Sequence, residues 1–142
     1  MSESLKFADG TTVPIIALYH RDDVNFKGAY RNQIVARIAE SATTSAALEA
    51  LAFDATKTAA IIHTYDQTSL SAEGKPVMGA DGKPLTTQKT QEYDNYVIPH
   101  HVSHEYNDGD NAYEYYLALC QKTDAELQNA ALKSQLAASL EG

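Results

Sequence analysis

The residues best suited to chemistry form one short run, His100-His101-Val102-Ser103-His104-Glu105. Imidazoles and a carboxylate are metal ligands and proton carriers, so His100, His104 and Glu105 are the candidate metal set. His100 and His104 are spaced for one helix face, but the order differs from the H-E-x-x-H of helical zinc sites. On a strand, His100, Val102 and His104 share one face, while His101 and Glu105 share the other, which splits the ligands. No other cluster of Cys or His completes a metal shell. The plainer reading is a polar hairpin arm with half-exposed histidines, and the sequence favours it. No metal or other cofactor is expected. A metal-dependent enzyme built on this run is the remotest of three functional readings.

Other chemistry has less support. The single cysteine, Cys120, lies in an apolar strand, where a thiol stays protonated. No G-x-S-x-G, P-loop or G-x-G-x-x-G occurs. Asp108-Gly109-Asp110 lacks the rest of a calcium loop and reads as a turn. The chain is therefore expected not to be an enzyme.

The elements that position these residues centre on Tyr113–Leu140. Tyr113, Tyr115, Leu117 and Leu119 alternate with Glu114, Tyr116, Ala118 and Cys120, and both sets are largely apolar. A strand apolar on both faces belongs inside a sheet. Thr123 and Glu126 then form a capping box, and a helix over 123–141 follows, free of Gly and Pro. Leu132, Leu136 and Leu140 make a stripe that Leu127 and Ala131 extend. It serves either this chain's own sheet or another subunit.

Upstream, Asp9-Gly10 marks a hairpin between Leu5–Ala8 and a strand over Thr11–Tyr19, whose Pro14 predicts an edge. His20–Asn25 reads as a loop. Tyr30–Ile38 reads as a strand, with helix as the alternative. A short helix spans Ala46–Phe53, ended by Asp54–Lys57, and Thr58–Tyr65 is a strand. Asp66–Gln91 is expected to be a long protruding loop. It carries two Gly-Lys-Pro units eight residues apart, so Lys75, Pro76, Lys83 and Pro84 are candidate partner contacts. Glu92–Val102 returns as a strand, and Asn107–Asn111 turns it into the strand at Tyr113. The expected fold is a single α+β domain over 1–142. It has a mostly antiparallel sheet, one short internal helix and a C-terminal helix.

Bulk properties narrow the partners. With 142 residues the chain holds one domain with a real core. A net charge of −8 repels phosphate backbones and disfavours nucleic acid. No segment reaches membrane-spanning length, the N-terminus lacks a signal-like apolar run, and the lone cysteine fits intracellular folding. The same charge supports a second reading, an acidic inhibitor or decoy of a host enzyme, although the carboxylates are scattered.

Four motifs follow one another along the chain. They are Phe7-Ala8-Asp9-Gly10-Thr11, Gly28-Ala29-Tyr30-Arg31, the group Leu48, Leu51, Phe53, Asp54, Lys57 and Thr58, and Cys120-Gln121-Lys122-Thr123-Asp124-Ala125-Glu126. Their order resembles small proteins encoded in tail-module regions of phages and prophages of Gram-positive bacteria. The 66–91 segment and the histidine run depart from that pattern. The resemblance implies a non-catalytic tail or baseplate structural protein of the virion, made in the host cytoplasm. It would bind other tail proteins and assemble as a homo-oligomer or ring.

Overall fold

A computed structural model describes residues 3–141. The strands are β1 (Glu3–Lys6), β2 (Thr12–Ile15), β3 (Ala17–Phe26), β4 (Ala29–Ala39), β5 (Ala60–Thr68), β6 (Thr86–Asp94), β7 (Ile98–Asn107) and β8 (Ala112–Cys120). The helices are α1 (Ser45–Ala52), α2 (Ala55–Thr58) and α3 (Asp124–Glu141). The fold is α+β, but its strands form two antiparallel sheets, ordered β2-β1-β5-β6 and β3-β4-β8-β7.

The core lies between these sheets. Leu5, Val13, Ile15 and Ile61 come from the first, and Ile34, Ala36, Ile38, Leu117 and Leu119 from the second. Leu48, Leu51 and Ala52 of α1 join them, and α1 packs on β7 and β8. Helix α1 starts where Thr44 Oγ1 accepts the Ala47 N–H at 3.1 Å, an N-cap that satisfies an otherwise orphaned donor. Strand β8 occupies an interior position between β4 and β7, as its two apolar faces require. Pro14 sits on edge strand β2, and Tyr30–Ile38 lies within strand β4.

Several segments differ from the sequence reading. Thr11–Tyr19 is not one strand: it breaks at Ile16, where the chain leaves the first sheet for the second. His20–Asn25 is not a loop but part of β3. This is an edge strand whose polar residues face solvent, so hydrophobic alternation never marks it. A bulge at Asp22–Asp23, with Asp23 at φ 58°, absorbs a register shift there. Asp54 does not simply end α1, because its carboxylate caps α2 by accepting the Thr56 N–H at 3.0 Å. Glu92–Val102 is split by a corner at Asn95, φ 65°, which carries the chain back to the second sheet and buries Tyr96 on the way.

Asp66–Gln91 is not one long loop. Its flanks are strand, because β5 and β6 pair without a break from Ala60↔Asp94 to Thr68↔Thr86. Neither strand alternates in polarity beyond Tyr65, since the arm they form is exposed on both faces. At the tip, each Gly-Lys-Pro unit closes a small turn, with Gly74 at φ 79° and Gly82 at φ 78°. Bridges Leu70↔Pro76 and Met78↔Pro84 pin the two turns. Backbone bonds link Ser69 N–H to Leu85 O (2.8 Å), Val77 N–H to Ser69 O (2.8 Å) and Leu85 N–H to Val77 O (2.7 Å). They form a closed ring, so the internal echo in the sequence is a structural repeat.

Truncating Leu117, 1% exposed, opens a cavity between the sheets. Leu117→Ala is expected to cost about 3 kcal/mol in urea denaturation. Leu132→Ala, at a site 61% exposed on α3, should stay within about 0.5 kcal/mol.

Candidate functional site

Strand β4 carries Arg31, Gln33, Val35 and Arg37 on the face opposite its core residues, and this face is organised by charge. Arg37 sits over the β8 end. Its Nε donates to Glu114 Oε1 at 2.8 Å and its Nη1 to the Tyr19 hydroxyl at 2.9 Å, while Nη2 pairs with Asp110. Glu114 is 2% exposed, so it is a buried carboxylate with its partner in place.

Arg31, 3% exposed, has a larger role. Its Nε donates to Phe26 O at 2.8 Å and its Nη2 to Lys27 O at 3.1 Å, fixing the β3–β4 turn. Its Nη1 donates to Gln121 O at 3.3 Å, where β8 ends. The same fork grips Glu126, with Nη1 on Oε1 and Nη2 on Oε2 at 3.0 Å. Glu126 also accepts the Thr123 N–H at 2.9 Å, and Thr123 Oγ1 accepts the Glu126 N–H at 3.2 Å, completing the capping box. Arg31 and the Thr123 amide together hold the Glu126 carboxyl down at about pKa 2, and Glu126 in turn raises that of Arg31.

The clamp sets where α3 begins, and α3 then leaves the body. Glu126 and Leu127 are half-buried, but every residue from Gln128 to Leu140 is exposed. Leu132, Leu136 and Leu140 are 61%, 61% and 80% exposed. Of the two uses open to that stripe, packing on this chain's own sheet does not occur.

The histidine run sits on β7, where a bulge between Pro99 and His101 changes which face each side chain takes. His100 joins His101 and Glu105 in lining one cleft, of about 380 Å³, with Arg21, Val24, Gln33, Val35 and Tyr116. His100 Nδ1 lies 2.7 Å from His101 Nδ1, and its ring packs 4.4 Å from Phe26 of β3. The outer strands of this sheet thus curl toward each other over β4 and β8. Burial, with His101 and Arg21 nearby, lowers the pKa of His100. His104 points to the other face, paired with Glu40 and packed on Tyr113 and Tyr115. Glu105 accepts a hydrogen bond from Ser103 at 2.7 Å. His104 is therefore parted from His100 and Glu105. Among the described residues, no group of three or more His, Cys, Asp or Glu is placed to hold a metal ion. Cys120 is buried, and burial raises its pKa.

Lys75, Pro76, Lys83 and Pro84 all lie exposed at the arm tip, beside exposed Leu70, Met78 and Leu85. They are far in sequence from the α3 stripe, and the two sets belong to separate projections from the body. The sequence reading missed the roles of Arg31, Gln33 and Arg37. Their signal was alternation with Ile34, Ala36 and Ile38, which gives β4 a polar yet buried second face. No family model, curated protein or solved structure matches the chain.

Glu126 gives a signed test of the clamp. Its folded pKa lies below the ordinary 4.5, so its contribution is complete above that value and is lost as pH falls through about 2. Acid titration of stability should therefore flatten over that window in Glu126→Gln. Arg31→Ala, which strands Glu126 and three carbonyls, should cost about 3 kcal/mol at neutral pH.

Proposed function

We propose that this chain is a non-catalytic structural protein of a phage virion, associated with the tail or baseplate and built to bind other tail proteins. The observation that carries the reading is α3, whose start is fixed by a buried arginine while its leucines face solvent. Most helical stability in proteins comes from packing one face of the helix, so a helix held out from its domain gains that stability only when a partner covers it. Leucines at i, i+4 and i+8 are the anchors by which a helix docks into a groove or against another helix. The arm formed by β5 and β6 is a second projection, with apolar and lysine side chains exposed at its tip.

The motif order shared with tail-module proteins supports the same reading. Two of its four motifs supply the clamp: Arg31 belongs to the second and Glu126 to the last. Acidic charge, at −8, keeps such a subunit off the packaged genome. In this setting the chain is made in the host cytoplasm and ends in the particle, as one copy of a homo-oligomer or ring.

Density-purified virions probed with antibody to the chain should contain it at a fixed copy number. A chain ending at Thr123, which lacks α3, should remain in the lysate. Infectious particles that lack the chain altogether would overturn the proposal.

A further inference from the structure

The sheet order leaves four edge strands, β2 and β6 on one sheet, β3 and β7 on the other. A free edge is a template for another strand, and proteins blunt edges that are meant to stay alone. Three of the four are blunted here. Strand β2 has four residues, one of them Pro14, which cannot donate. Strand β3 is bulged at Asp22–Asp23, and β7 carries Pro99 and a bulge before His101. Strand β6 is neither short, bulged nor interrupted by proline, and its only edge device is charge, at Lys89, Glu92 and Asp94. Its nine residues, Thr86–Asp94, contain no proline and no positive φ, and they pair with β5 without a register shift.

The arm also lacks support. Among the described residues, strand β1 covers β5 over Ile62–Thr64, and the ribbon toward the tip is two-stranded, an arrangement of marginal stability in water.

We infer that β6 is the contact for a second copy of this chain, pairing antiparallel with its own counterpart about a two-fold axis at Thr90. The occupant follows from the edges themselves. Among the described strands, the only other edge equally open is β6 of another copy, and an isologous contact uses the same strand twice. The register follows from symmetry and charge. A two-fold axis normal to the sheet keeps each side chain on its own face, so paired residues are both odd or both even in number. Centring on Thr90 pairs all nine residues, from Thr86 with Asp94 to Thr90 with itself. Lys89 then faces Gln91, and Glu92 faces Gln88, so no like charges meet. Centring on Lys89 or Glu92 would oppose two like charges, and centring on Gln91 leaves Thr86 and Thr87 unpaired. The contact involves neither α3 nor the arm tip, and it stands whether or not the chain is a tail protein.

Light scattering on the full chain is the test. Thr90→Lys and Thr90→Glu each place like charges face to face, and each should halve the mass of the wild-type particle. Mixing the two variants should restore it. Thr90→Cys should form an oxidised cross-linked pair, because facing residues in a ladder lie within disulfide reach. Gln88→Cys, offset along the strand from its own copy, should not. A monomeric wild-type chain, an unchanged mass in both charge variants, or a Thr90→Cys chain that never cross-links would each overturn the inference.

Discussion

The arrangement of this protein rests on the Arg31 guanidinium. Three carbonyls and one carboxylate converge on it, and they come from the β3–β4 turn, the end of β8 and the first turn of α3. A planar fork with several rigidly placed donors can satisfy all of these at once, which a lysine could not. Burying the charge is tolerable only because every acceptor is in place. The site where strand gives way to helix is thereby fixed in direction, although nothing beyond Leu127 packs behind it.

The remainder divides into a body and its projections. In the body, two four-stranded sheets and α1 enclose one apolar cluster, and a second charged seam, Arg37 with Glu114 and Asp110, ties β4 to the β7–β8 hairpin. The projections are α3 and the β5–β6 arm, which hold half of the exposed large apolar side chains among the described residues, namely Leu70, Met78, Leu85, Leu132, Leu136 and Leu140. Apolar groups left out of a core in this way gain from burial in an assembly. The separation has a physical basis. Each projection is joined to the body through ladder or clamp bonds at its root, and each is left open along its length.

How legible this was depended on burial. Strand β8, the capping box, the Asp9-Gly10 hairpin and α1 were readable because each combines a hydrophobic period with a stop or cap signal. The same rule failed on β3 and on the outer parts of β5 and β6, where solvent lies on both faces and no period is imposed. It also failed where the chain changes sheets, at Ile16 and Asn95, because a corner between two strands leaves no break in composition. The histidine faces were misjudged through a single inserted residue: a bulge at Pro99–His101 moves His100 to the side of His101 and Glu105. Arg31 could be quoted as part of a motif, but its partners lie at the far end of the chain, and no local pattern names them.

The proposed role depends most on α3 standing free until a partner covers it. Hydrogen exchange on the isolated chain, read segment by segment, measures this directly. Amides from Gln128 to Leu140 should exchange close to the unprotected rate, while those of β4 and β8 stay protected to near the global stability. Protection in α3 should appear only once the chain is incorporated into its assembly. Equal protection of α3 and β8 in the isolated chain would contradict this, because it would mean that the helix already packs on its own body.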